Sequence, residues 1–187
     1  DDGTPIPFDE RYTDGKAVGV PGTLKGLEAS LDKWGTRPMA QLMKPAIELA
    51  GKGFPIDSVL ADAIEDNKET LRKTAAKDIF FKNGKPLKEG DKLVQKDLAK
   101  TFRLISAQGT EVFYEGKIGR AIAKTVQEHG GSMEAADLKK YDVTWDEPIW
   151  GEFKGYQIAS MPPPSSGGVF LLQMLKILED YDLSQYD

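Results

Sequence analysis

The residues with the clearest chemical potential are two adjacent serines, Ser165 and Ser166, followed by Gly167 and Gly168. Serine hydroxyls and unpaired backbone N–H groups at the start of a helix can hold an anion or an oxyanion, which makes these four residues candidate substrate contacts. Their other reading is structural: a serine that caps a helix and glycines that allow close packing. His129 is the only histidine and there is no cysteine. It sits at the end of a helical pattern just before Gly130 and Gly131, where an imidazolium interacts favourably with the helix dipole. With no second soft ligand in reach, neither a metal site nor a Ser-His-Asp catalyst can be read around it. The acidic neighbours Glu65 and Asp66, Asp146 and Glu147, and Glu179 and Asp180 lack the apolar surroundings that raise a carboxyl pKa for acid–base work. Gly19, Pro21 and Gly22 lack the loop and lysine of a phosphate-binding motif. No complete catalytic set, metal site or cofactor motif emerges.

These residues must be positioned by a mostly helical chain. Leu24, Leu27, Leu31 and Trp34 place one apolar stripe on a helix from about Pro21 to Trp34, ended by Gly35. Met39, Leu42, Met43, Ala46, Ile47 and Ala50 continue the period, with Pro45 predicting a kink or a break into two short helices and Gly51 and Gly53 a stop. Asp57 is an N-cap candidate for a third helix reaching about Lys73. Asn83 and Gly84 signal a small turn or ribbon between Phe81 and Leu87, weakened by Pro86. Leu98, Phe102 and Ile105 mark a fourth helix stopped by Gly109. Ile118, Ile122 and Val126 mark a fifth, and Asp137 to Tyr141 add one turn. From Pro148 the period becomes two, and Lys154 and Gly155 turn a hairpin that runs to Met161. The final helix, about Gly167 to Asp180, is apolar on nearly every side and is expected to be surrounded by protein, part of it from outside these residues, so that the chain alone leaves an apolar patch open. The organisation read is thus an extended arm over 1–20 with a short strand at Val18 to Val20, a helical region over 21–140, and a hairpin plus buried helix over 148–187.

Composition limits the function classes. The 187 residues carry 25 Lys plus Arg against 30 Asp plus Glu, a net charge of −5. The signs are mixed along the chain, which argues against nucleic acid as a partner. A chain of this size can bury about 70% of its extended surface, so a proper core is possible. Zero cysteines removes disulfide frameworks and thiolate zinc sites and leaves the compartment open. The apolar run Val169 to Leu178 is about half of the ~20 residues a bilayer crossing needs, so no membrane span is expected. The opening Asp1, Asp2, Gly3 carries no targeting pattern, and the chain reads as a piece of something longer.

Three segments carry a resemblance: Val18-Gly19-Val20-Pro21-Gly22-Thr23, the phrase Ala46 to Gly53 ending in Phe54, and Met161-Pro162-Pro163-Pro164-Ser165-Ser166-Gly167-Gly168 with the apolar stretch beyond it. Together they resemble the large subunit of the γ-glutamyltranspeptidase family, its secreted bacterial members most closely, over almost the whole chain. The resemblance implies a mainly helical α+β part of an N-terminal nucleophile hydrolase with an αββα fold. It implies a precursor that cleaves itself to free a Thr nucleophile, outside these residues, which attacks the γ-glutamyl amide of glutathione or a related compound. The α-amino group of the new terminus can serve as the base, so neither histidine nor cysteine nor any cofactor is needed.

Partners implied are the small catalytic subunit, the remaining large-subunit segments and a small γ-glutamyl substrate, in a secreted or periplasmic bacterial setting. The paired serines and glycines that hold substrate and oxyanion in the family belong to the small subunit, preceded by a Leu rather than three prolines, so that role does not transfer to Ser165 to Gly168. Nor does the family's carboxylate-clamping Arg map onto Arg11, whose acidic neighbour precedes it; that clamp is expected upstream of Asp1. These 187 residues alone are expected to be inactive, packing helices beside the catalytic sandwich and walling the substrate groove. Glutaryl-cephalosporin acylases and a capsule-processing transpeptidase share the family, and the residues separating them lie outside this chain. A serine hydrolase using Ser165 or Ser166 and a helical interaction module without catalysis are the alternative readings.

Overall fold

The computed structural model describes Pro5, Pro7 and residues 14–185. Most of the arm expected over 1–20, Arg11 included, lies outside the described residues. The chain divides into two compact units, one ending at Val143 and the other starting at Thr144.

In the first unit, helix α1 (Thr23–Trp34) is followed by α2 (Met39–Leu42) and α3 (Lys44–Lys52). The break between α2 and α3 is the one Pro45 demands: a proline is accepted in the first turn of a helix, where its missing N–H has no carbonyl to serve. Gly53, at φ +78°, ends α3 in a conformation costly for any residue with a Cβ. Strand β1 (Phe54–Pro55) then pairs antiparallel with β4 (Lys92–Leu93), Phe54 opposite Leu93. Between them lie α4 (Ser58–Asp66), α5 (Lys68–Arg72), α6 (Lys77–Phe80) and the ribbon of β2 (Phe81–Lys82) and β3 (Lys85–Pro86). Asp57 caps α4 by accepting from the Leu60 N–H at 2.8 Å.

The remainder of the unit is α7 (Lys96–Gln108), α8 (Glu111–Tyr114), α9 (Lys117–Glu128) and α10 (Ala135–Lys140). Two apolar clusters hold it together. Ile56, Ile64, Leu87 and Leu93 form one, and Tyr114, Ala123, Val126, Met133 and Leu138 the other. Helices α3 and α7 approach closely through small residues: a Cβ on Gly51 would lie 3.5 Å from that of Ala99.

The second unit contains the hairpin β5 (Ile149–Phe153) and β6 (Tyr156–Ser160), then α11 (Gly167–Leu178). Its register runs without a bulge from Ile149 opposite Ser160 to Phe153 opposite Tyr156. Lys154 and Gly155, at φ +47° and +84°, form the two-residue turn. The architecture is mainly helical α+β, and the described residues contribute only two-stranded antiparallel ladders to any sheet.

Three details depart from the sequence reading. Val18 to Val20 form no strand; the chain there follows a 3-10 turn at Gly15–Ala17, tied by the Gly15 N–H to the His129 carbonyl at 2.9 Å. The third helix does not run unbroken to Lys73 but splits at Asn67, whose side-chain amide donates to the Ala63 carbonyl at 2.9 Å and competes with the helix ladder. Helix α11 stops at Leu178 rather than Asp180. Within these residues α11 keeps an open apolar face, as expected if part of its cover lies outside them. The hairpin covers only the face of Gly168 and Leu172, while Phe170 and Ile177 remain 58% and 67% exposed.

Candidate functional site

The Met161 to Gly168 segment forms a turn that delivers the chain from β6 into α11. The Ser165 N–H donates to the Pro162 carbonyl at 3.2 Å, and the Gly167 N–H donates to Ser165 Oγ at 3.3 Å. The capping hydroxyl is therefore that of Ser165; Ser166 sits at the N-cap position with no capping bond from its side chain. Ser166 is exposed and Ser165 half-buried. The two glycines differ. A Cβ on Gly168 would lie 2.2 Å from the Met161 carbonyl oxygen and 3.0 Å from both Ile149 Cδ1 and Ser160 Oγ, whereas one on Gly167 would meet only Ser165 Oγ at 3.5 Å. Gly168 is thus required by packing and Gly167 is not.

Among the described residues, none around these serines is placed to activate a nucleophile. Among the described residues no histidine, lysine or carboxylate hydrogen-bonds to either hydroxyl. His129 is engaged elsewhere, with Nδ1 2.8 Å from the Thr125 carbonyl oxygen at the end of α9. The carboxylates with displaced pKa values move in the wrong direction for an acid. Glu65 is held below the usual carboxylate range first by its bond to Lys68, and Glu179 first by its bond to Lys176 and then by the Lys154 N–H. Among the described residues no group of three or more His, Asp or Glu is placed to hold a metal ion. No helix of the described residues is long and apolar enough to cross a membrane.

The best-organised polar cluster lies in the first unit, and it was not visible in the sequence. The buried Tyr114 hydroxyl donates to the Pro21 carbonyl at 2.7 Å and accepts the Lys25 N–H at 2.9 Å. Its ring stacks on Tyr141 at 6.1 Å, and burial raises its pKa. Beside it Glu28 bridges Lys25 Nζ, at 3.0 Å, and the hydroxyl of Thr110, which is only 3% exposed. The bond to Glu28 raises the Lys25 pKa. Every member is satisfied, so this cluster fixes the entry into α1 rather than offering a reactive group. Only the Lys25 and Glu28 spacing, three apart on one helix, hinted at it.

The described residues therefore hold no assembled catalytic centre, and the relatives explain why. Residues 2–187 match the family described as Gamma-glutamyltranspeptidase. All 187 residues align at 66% identity with a glutathione hydrolase proenzyme of Bacillus subtilis strain 168, covering 32% of it. A second glutathione hydrolase proenzyme, from Escherichia coli K12, is 44% identical over 91% of this chain and 30% of its own length. The chain spans about a third of the length of these relatives. Among solved structures, the Helicobacter pylori γ-glutamyltranspeptidase superposes with a TM-score of 0.88 at 41% identity, over 96% of this chain and 52% of that one. A match over essentially every residue, in sequence and in fold, places the chain in the γ-glutamyltranspeptidase family.

Proposed function

We propose that the protein to which this chain belongs transfers or hydrolyses the γ-glutamyl group of glutathione and related γ-glutamyl compounds. The observation that carries the reading is the 66% identity over all 187 residues with a glutathione hydrolase proenzyme. In this reading the precursor cleaves itself, and the new N-terminal Thr, outside these residues, attacks the γ-glutamyl amide with its own α-amino group as base. The missing base beside Ser165 and Ser166 agrees with a nucleophile supplied elsewhere. The present chain packs with the small catalytic subunit and the other segments of the precursor, in a secreted or periplasmic bacterial setting. Ser165, Ser166, Gly167 and Gly168 serve at most as the wall of the groove that a small γ-glutamyl substrate enters.

The full-length precursor, expressed and allowed to process, is expected to turn over γ-glutamyl-p-nitroanilide, and the 187-residue chain alone is not. A Ser165→Ala, Ser166→Ala double variant of the full protein should keep its kcat and change at most KM, the signature of a binding contact. A loss of about 10³-fold or more in kcat would make one of the serines the nucleophile and overturn the reading.

A further inference from the structure

We propose that α5, α6 and the β2–β3 ribbon form a binding surface for a linear polyphosphate chain, a role that goes beyond the γ-glutamyl reaction and does not depend on it. Charge signs are mixed along most of the sequence, but residues 72–96 hold eight Lys or Arg against three Asp or Glu. That stretch is +5 in a chain of −5, so everything outside it sums to −10. A segregated positive field of this kind draws in anions.

The cations at the borders of the stretch are neutralised, whereas several inside it are not. Lys68 pairs with Glu65, Arg72 with Glu69 at 3.0 Å and Lys100 with Asp97 at 2.8 Å. Among the described residues Lys73, Lys77, Lys82 and Lys85 have no carboxylate partner, and all four are exposed. Asn83 and Gly84, at φ +53° and +74°, make a two-residue turn that sets Lys82 directly opposite Lys85, with both side chains on one face of the ribbon. Like charges so placed repel, and an anion between them relieves the cost.

The adjoining surface is concave. Hollows of about 410 and 800 Å³ flank α6 and meet at Lys77 and Asp78; Arg72 and the ribbon turn line the first, Lys73 and His129 the second. Asp78 is the one carboxylate that the described residues place in either lining. The unpaired cations are lysines, point charges with fanned donors that suit a phosphate, whereas planar two-point recognition of a carboxylate belongs to arginine. Arg72 is already held by Glu69 and by the Phe81 ring, 5.4 Å from its guanidinium. Phe81 is the only Phe, Tyr or Trp among the described residues of the lining, and with Arg72 over it there is no platform for stacking bases. A trough beside a Lys-Asn-Gly-Lys tip without an apolar anchor fits a thread and not a bilayer.

Binding of fluorescently labelled linear polyphosphate to the purified full-length protein, followed by anisotropy from about 50 mM salt upward, tests this. Affinity should fall as salt rises. The Lys82→Gln, Lys85→Gln double variant should weaken binding at least about 10-fold and flatten the logarithmic salt slope by about 1–2. Asp78→Asn should tighten it ~2- to 5-fold, and no tightening would remove the chain from the trough and overturn the proposal. Lys44→Gln, Lys117→Gln deletes the same charge elsewhere in this unit and should change affinity by less than about twofold. Equal losses in the two double variants would mean diffuse attraction and would overturn the site, as would a wild-type protein that does not bind. Poly-L-glutamate or oligothymidylate of matched charge binding as tightly as polyphosphate would overturn the choice of ligand.

Discussion

Gly168 and Met161 lie against each other so tightly that a Cβ on the glycine would stand 2.2 Å from the methionine carbonyl oxygen. Because the obstacle is backbone, it cannot swing aside as a side chain would. Gly168→Ala is therefore expected to destabilise the protein by about 1–3 kcal/mol, the usual cost of overpacking, seen as a lowered denaturation midpoint. Gly167→Ala is the matched control. With room for its methyl and a helical position to occupy, it should be neutral or stabilising by up to ~1 kcal/mol.

Tyr114→Phe should cost about 1–3 kcal/mol. The ring and its stacking on Tyr141 survive, but the Pro21 carbonyl and the Lys25 N–H lose their partner in a partly buried place. Urea denaturation measures the loss, and an unchanged midpoint would mean that water replaces the hydroxyl without penalty.

Glu179 gives a pH signature with a definite sign. Its bonds to Lys176 and the Lys154 N–H depress its pKa in the folded state, so the stability it supplies is present above the unfolded carboxyl value and is lost as pH falls through the folded one. Glu179→Gln should thus lower the melting temperature at neutral pH. The gap from wild type should close on acidification below about pH 4, beneath the ordinary glutamate value. A gap that persists into acid would assign the loss to packing.

The stripe of Phe170, Met174 and Ile177 on α11 predicts association when the 187-residue chain is prepared alone, because exposed apolar faces of this kind seek cover. Sedimentation should show mass rising with concentration, and Ile177→Asp should reduce it. Leu172→Asp acts differently, since Leu172 faces Gly151 and its replacement loosens the helix from the hairpin.

Local chemistry was the legible part of this chain. The Asp57 cap, the break before Pro45, the stops at Gly53 and Gly109 and the Lys154-Gly155 turn each depend on a few neighbouring residues, and each stands where the sequence put it. Val18 to Val20 had strand-forming residues but pair with no strand among the described residues, which no local pattern could reveal. The Tyr114 hydroxyl was silent for the same reason, its two partners lying 89 and 93 residues away. At the Ser165 to Gly168 turn the letters announced a capping serine and tight glycines. Only coordinates could assign the cap to Ser165 and the tight contact to Gly168.

The bond from Gly15 to His129 also carries a kinetic meaning. Carbonyls at the C-terminal end of a helix have no partner within it, and at α9 one of the groups that closes the end comes from the far side of the sequence. A Cβ at Gly15 would stand 2.3 Å from the Val126 carbonyl oxygen, so the seat admits only this residue type. Bringing residues 15 and 129 together closes a loop of about a hundred residues, and the entropy of that closure is lost before the contact returns anything. The Gly15 amide, which donates in this bond, should therefore be among the late amides of this unit to become protected during folding, and during synthesis the clasp cannot form until His129 has left the ribosome.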